Sequence, residues 1–397
     1  MNSPLLAQDR YPQPWSEQDT FLFQSAHRCL RGSGVAERIL LAVDPDGQGD
    51  QRFHAAVADA MRRARASGIV NPVVIGAIPF DLSRPASLAI PSHCEIGRLP
   101  QVSAAVPQAA PLALSARSFP ERERFEQGVR QAIANFELSD IRKAVLSRIL
   151  EVELDRPADV AHIFSRLCAQ NPSAFQFRLP LFDGSELIGA SPELLVRKQD
   201  GQLYSNPLAG SAKRQKDPSA DARVSTALLA SAKDHYEHRL VIEDIERVLR
   251  PLCAELDVPS GPSLLSTAAM WHLSTQIRGV VADPALTALQ LACKLHPTPA
   301  VCGHPTRMAR KLIHLIEPFE RGMFTGMVGW CDSEGNGEWA VTIRCGRVHK
   351  QRIQLFAGAG IVADSSPESE WVETEAKLQT MMNALGVQMP AVLSEAA

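Results

Sequence analysis

Residues 326 to 362 constrain the fold more than any other stretch. There "GMVGWCDSEGNGEWAVTIRCGRV" and "RIQLFAGAGIV" are rich in β-branched and aromatic residues, so a hairpin with a neighbouring strand is expected. A hairpin commits the chain to antiparallel pairing. Upstream, "IRKAVLSRILEVEL" (141–154), "AFQFRLPL" (174–181) and "ELIGASPELLVRK" (186–198) read as further strands.

Between these lie helical stretches. "FHAAVADAMRRARASG" is Ala-rich and amphipathic, and leads into a short apolar strand, "NPVVIGAIPFD" (71–81). "SFPERERFEQGVRQAIANF" opens on a capping-box pattern, Ser118 to Glu121, with Phe125, Val129 and Ile133 four apart. A second helix is expected near 158–170 and one long helical stretch over 220–252. Strands and helices mix without a βαβ rhythm, so the expected class is α+β: large antiparallel sheets, sandwich-like, flanked by helices. Prolines at 100, 107, 111 and 120 make the passage from Leu99 to Pro120 a surface connection without regular structure. It is a soft internal boundary in one domain spanning 51–390, preceded by a variable N-terminal segment, 1–50.

Composition narrows the function. The 397 residues are 45% hydrophobic, enough for a large core. Lys and Arg number 41 against 44 Asp and Glu, which leaves no basic footprint for nucleic acid or an anionic membrane. No basic leader precedes an apolar run, and nowhere do 18 apolar residues follow one another, so a cytoplasmic protein is expected. The eight cysteines are scattered without a CxxC pair and read as reduced core residues.

Several charged residues sit where a core should be. In "SAKDHYEHRLVIEDIERVL" Glu237 shares a helical row with Val241, Ile245 and Val248. It is either satisfied by first-turn N–H groups or a base such as Lys233, or it is a ligand for a hard divalent cation. Lys143 shares strand parity with Ile141, Val145 and Ile149. An edge-strand lysine is the commoner reading, but burial disfavours the ammonium and would leave an amine able to act as a general base. Glu193 follows the turn in "GASP", and desolvation there would keep a proton available. In "SEWVETEAKLQTMM" Glu370, Glu373 and Lys377 form a charged row beside the apolar stripe of Trp371, Leu378 and Met382. The ordinary reading is the solvated side of an amphipathic helix.

"FAGAGIV" lacks the spacing of a dinucleotide fingerprint, and no helix opens from it. Gly358 and Gly360 inside a strand instead mark a close approach to the backbone or a bulge. Arg344, in "VTIRCG", suits a carboxylate, which a guanidinium binds through two N–H groups. His272 and His296 stand outside any metal-binding pattern and are assigned hydrogen-bonding roles.

These stretches, taken in order, resemble the chorismate-utilising enzymes, and within them the isochorismate synthases of siderophore pathways. The resemblance runs through "GAIPFD" (76–81), "KAVLSR" (143–148), "LIGASPELL" (187–195), "PLAGSAKR" (207–214), "KDHYEH" (233–238), "WHLST" (271–275), "LHPTPA" (295–300), "GWCDSEGNGEWAVTIRC" (329–345), "LFAGAGIV" (355–362) and "EWVETEAKL" (370–378). It implies the chorismate-binding fold, chorismate as substrate, Mg²⁺ as cofactor, and a monomer. Lys143 is then similar to the base that activates water and Glu193 to the acid that protonates the departing hydroxyl. Glu237 and Glu373 resemble the Mg²⁺ ligands, with Glu370 beside them. Lys377, Arg344, His272, Gly210, Ser211, Gly358 and Gly360 resemble groups that hold the substrate. Ala300 and Val301 stand where relatives of other specificity carry Thr or other residues. Together with Phe324, Ile343 and Phe356 they resemble the subgroup that releases isochorismate. The alternatives are a salicylate synthase, which also eliminates pyruvate, and a non-catalytic binder of aromatic acids.

Overall fold

The strand Val73–Ile78 is buried along its whole length. Val74 and Ile78 enter one apolar cluster while Val73, Ile75 and Ala77 enter another, the alternation expected when both faces of a sheet are covered. In the computed structural model, residues 20–388 are described, apart from 27, 45, 46, 48 and 98–109.

Two large sheets share the second of those clusters. A nine-stranded sheet contributes Val73, Ile75, Val328, Trp330 and Ala340, and a ten-stranded sheet contributes Phe21, Phe23, Phe177 and Leu187. Helices cover the outer faces. Gln51–Ala66, Ala232–Leu249 and Ala288–Leu295 pack on the nine-stranded sheet. Val160–Gln170 and Pro367–Leu385 pack on the ten-stranded one. The result is a four-layer helix–sheet–sheet–helix sandwich, as the mixed pattern of strands and helices predicts. The first described residues belong to it: Thr20–Gln24 and Cys29–Ser33 join the ten-stranded sheet, and Glu37–Ile39 the nine-stranded.

The long strand Lys143–Leu154 pairs antiparallel with Arg352–Ile361 inside the ten-stranded sheet. Lys143 is therefore not on an edge, and it is fully buried. Helices Arg122–Leu138 and Thr306–Ile316 close the core around this end of the sheet.

Five expectations change. The hairpin Met327–Asp332 with Gly337–Val341 forms, but the next strand, Cys345–His349, lies in the other sheet, so the chain crosses between layers at residues 342–344. A second crossing, at residues 192–193, separates Glu186–Ser191 from Leu194–Gln199. Hydrophobic patterning reports burial but not which sheet buries a strand.

The helical stretch 220–252 is two helices, Pro218–Ala230 and Ala232–Leu249, because Ser231 leaves helical geometry and caps the second by accepting the Asp234 N–H. The capping box at Ser118 does not form. Ser118 sits in a strand, Ala113–Phe119, where its hydroxyl accepts from Arg148 at 2.9 Å and donates to the Pro120 carbonyl at 3.0 Å. That strand occupies the end of the proline-rich connection and pairs with Lys143–Leu154; residues 98–109 of the connection lie outside the described residues.

Candidate active site

The two crossings run side by side. The Val341 N–H donates to the Glu193 carbonyl at 3.1 Å, and the Ala190 N–H to the Arg344 carbonyl at 3.1 Å. One crossing carries Glu193 and the other Arg344, whose φ of 51° is a left-handed value that a non-glycine residue adopts only when its surroundings impose it. Both side chains enter a cleft between the ten-stranded sheet and a small sheet in which Ser211, on Leu208–Lys213, stands directly across from His272, on Met270–Ser274.

Two helices aim carboxylates at the same cleft. Glu237 lies one turn into Ala232–Leu249, on the buried row with Val241 and Ile245. Pro367–Leu385 is set by Ser366 at its N-cap, Pro367 in its first turn and left-handed Gly386 after its last. Its charged row is not a solvated side. Glu370 is only 1% exposed, while Trp371 and Leu378 pack into two different cores. Arg148 ties this helix to the Lys143 strand by donating to Thr374 at 2.7 Å with its guanidinium 3.7 Å over the Trp371 ring.

Each carboxylate meets a lysine. Lys143 Nζ lies 2.9 Å from Glu237 Oε1, close enough for an ion pair but off the hydrogen-bond direction. The sequence made Lys233 the candidate partner of Glu237; it instead bonds Glu370 at 2.9 Å, a pairing 137 residues apart that no local pattern reveals. Lys377 bonds Glu373 Oε1 at 2.6 Å and the Gly358 carbonyl at 2.8 Å, and Ser211 donates to the same Glu373 oxygen at 2.9 Å.

The electrostatics follow from burial. It raises Glu193 to about 7, against the pull of the Leu208 N–H and of Lys143, Arg344 and Lys377. Burial and the charge of Glu373 push Glu370 up, whereas Lys377 and Ser211 outweigh burial at Glu373 and hold it low. His272 is driven far below its ordinary range by burial and by Arg344, so it is a neutral imidazole, and its Nε2 has no hydrogen-bond partner among the described residues. His238, lowered to about 4 mainly by burial, bonds Ala209 O and Thr275 Oγ1 and stays structural. Arg344 is lowered to about 10 by burial and has no side-chain hydrogen bond or ion pair among the described residues. His296 bonds the Phe80 carbonyl, as a hydrogen-bonding role requires.

Most sequence candidates converge. Glu193, Gly210, Ser211, Glu237, His272, Ala300, Val301, Phe324, Ile343, Arg344, Gly358, Gly360, Glu373 and Lys377 line one cavity. Lys143 and Glu370 stand behind it through their ion pairs, and Phe356 stacks on Phe324 at 5.1 Å. Sequence reading missed Val145 and Thr325, which also line it. Val145 shared Lys143's strand parity and could have been found. The glycines answer the close-approach reading: a Cβ on Gly360 would lie 2.3 Å from Glu237 Oε1, and one on Gly358 2.8 Å from Ser147 Oγ.

This cavity holds only about 60 Å³, whereas a groove of about 660 Å³ lies elsewhere, around Phe80, Arg310 and Phe319. The larger groove carries charges of its own, among them Asp81, Glu317, Glu320 and Lys311, but Glu193, Glu237, Glu373, Arg344 and Lys377 gather on the smaller space, which makes it the candidate site. Sites for small organic ligands run to roughly 300–1,000 Å³, and the ion pairs bridging the cleft must part to admit one.

Among the described residues no group of three or more His, Cys, Asp and Glu is gathered closely enough to hold a metal as it stands. The donor set still suits a hard divalent cation. Glu370 Oε2 is buried and makes no hydrogen bond of regular geometry among the described residues, and the charges of Glu370, Glu237 and Glu373 together overcome burial to raise the pKa of Lys233, so three carboxylates already surround one positive charge.

Comparison with known proteins shows the family. The family model for "Chorismate binding enzyme" matches residues 90–386. Isochorismate synthase DhbC of Bacillus subtilis is 43% identical over 92% of this chain and 94% of its own length. Isochorismate synthase EntC of Escherichia coli K12 is 44% identical over 92% and 95%. Among solved structures, a putative 2,3-dihydroxybenzoate-specific isochorismate synthase, DhbC from Bacillus anthracis, superposes with a TM-score of 0.88 at 40% identity, covering 94% of this chain and 98% of that one.

Proposed function

The chain belongs to the chorismate-binding enzymes, and we propose that it interconverts chorismate and isochorismate in siderophore-type biosynthesis, with the cleft residues in the roles given below. One observation carries the site assignment: Arg344 is a buried guanidinium that makes no direct hydrogen bond or ion pair among the described residues, feeling Glu373 only at a distance, beside a carboxyl that burial keeps protonated near neutrality. A desolvated cation of that kind calls for an anion from outside the chain.

The reaction adds water at ring C2, shifts both ring double bonds and expels the C4 hydroxyl as water. It needs a base and an acid on separate atoms. Lys143 takes the proton of the attacking water, and Glu193 gives its proton to the leaving oxygen. Arg344 and Lys377 hold substrate carboxylate, His272 offers its unpartnered Nε2, and Gly358 and Gly360 leave the strand surface flat for the ring. Ala300, Val301, Phe324 and Ile343 form an apolar wall that limits competing routes, with Phe356 supporting Phe324.

Glu237 and Glu373 would hold Mg²⁺, with Glu370 beside them. When bound, the ion supplies positive charge for a ring carboxylate. No helix among the described residues is long and apolar enough to cross a membrane. We place the enzyme in the cytoplasm, and as a monomer, since every residue given a role above comes from one chain.

Purified protein given chorismate and Mg²⁺ is expected to yield isochorismate, resolved by chromatography, without pyruvate. Salicylate with stoichiometric pyruvate would make it a salicylate synthase. Binding of chorismate without turnover would make it a binder.

A further inference from the structure

One edge of Lys143–Leu154 is paired with Arg352–Ile361 from Ala144 to Glu153. The opposite edge has a gap. Gly303–His304 pairs with Lys143 and Ala144, Ala113–Phe119 pairs from Ile149 onward, and neither reaches residues 145–148. Buried backbone groups left in such a gap are costly.

A buried ion pair occupies it. Glu317 Oε1 accepts the Ser147 N–H at 2.8 Å, and Arg321 Nη2 donates to the Val145 carbonyl at 2.6 Å. The Val145 N–H reaches the Cys302 carbonyl at 2.9 Å. Through Nη1 the same guanidinium donates to the Val301 carbonyl at 2.8 Å and to Thr325 Oγ1 at 3.2 Å. Two bonds, 2.8 and 2.6 Å, close the pair on itself, and its side chains are 2% and 4% exposed.

Val145, Val301 and Thr325 all line the catalytic cavity, and Lys143 lies two residues before Val145. Arg321 and Glu317 touch the cavity nowhere. We propose that this pair is a positioning device for the isomerisation, fixing the strand that carries Lys143 at a set distance from the Val301 wall and the Thr325 turn. The proposal rests on the function assigned above. A pair serving stability alone is commonly replaceable by apolar side chains of similar volume without loss. Here four hydrogen bonds reach the strand over 145–147, Val301 and Thr325, three separate walls of one cavity, which an apolar replacement cannot reproduce.

The groups assigned to the substrate carboxylates, Arg344 and Lys377, are not held by the pair, so its loss acts on turnover more than on binding. A displacement of about 1 Å at a reacting group costs on the order of 100-fold in rate. Two variants test this: Arg321→Lys, which keeps the charge but not the forked bonds, and the double variant Glu317→Met with Arg321→Met, which removes both charges together. In each, kcat should fall about 10- to 100-fold while KM for chorismate changes less than about threefold. Amide exchange over 143–150 in the unliganded protein should quicken at least about tenfold. If the double variant does not fold, Arg321→Lys carries the measurement. Wild-type kcat, or unchanged exchange over 143–150, would overturn the proposal. A wild-type protein that leaves chorismate untouched would instead sink the assigned function, while the exchange measurement would still decide the role of the pair.

Discussion

Glu193 is almost fully buried, and burial holds its carboxyl at about 7, against 4.5 in an exposed chain. Below about pH 4.5 folded and unfolded states are both protonated and the group costs nothing. Between 4.5 and 7 the unfolded chain sheds its proton while the folded one keeps it, so stability falls as pH rises through that window. The full cost is on the order of 3 kcal/mol. Glu193→Gln, which cannot ionise, should therefore gain on wild type as pH moves from 5 to 8, measured by urea denaturation. Its kcat should drop about 100- to 10,000-fold. In the wild type, kcat/KM should decline above about pH 7 as the acid loses its proton; a profile flat to pH 9 would remove Glu193 from that role.

At the scale of elements, the site depends on how closely the strand Arg352–Ile361 approaches the helix Ala232–Leu249. Gly360 keeps that approach open, and the neighbour its Cβ would strike is the tip of a side chain, Glu237 Oε1 at 2.3 Å, not backbone. Gly360→Ala should thus melt within a few degrees of wild type yet lose about 100-fold in kcat/KM, because the Glu237 carboxylate is driven from the place in which it would hold Mg²⁺. Retained activity with lowered stability would reverse that reading. The sequence already showed this glycine, the parity of Lys143 and the buried row of Glu237, because each is a local departure from a regular period. It did not show which sheet a strand joins. Gly337–Val341 and Cys345–His349 read alike but belong to opposite layers. The charged row on Pro367–Leu385 was equally opaque: a helix wedged between two cores and a polar cleft has the same spacing as one half in water. Ion pairs such as Lys233 with Glu370, 137 residues apart, exist only once the fold has formed.

Over the whole molecule, three lysines pair with three carboxylates in and behind the cleft, at Lys143–Glu237, Lys233–Glu370 and Lys377–Glu373. The fold does not need a divalent ion to neutralise its interior. A chelator should abolish turnover while moving the melting temperature by less than about 2 °C, and excess Mg²⁺ should raise it in proportion to the logarithm of concentration beyond Kd. Calorimetry with and without chelator checks both. Unfolding on chelation would mean that the lysines do not carry the charge balance.

The two bonded crossings also set a limit on how this chain can vary. Since side chains alternate along a strand, one residue added at 192–193 or at 342–344 would turn every following position of that strand inside out. Outer helices and surface turns can lengthen freely, but these two passages are locked in length, and the spacing between Glu193 and Arg344 is locked with them.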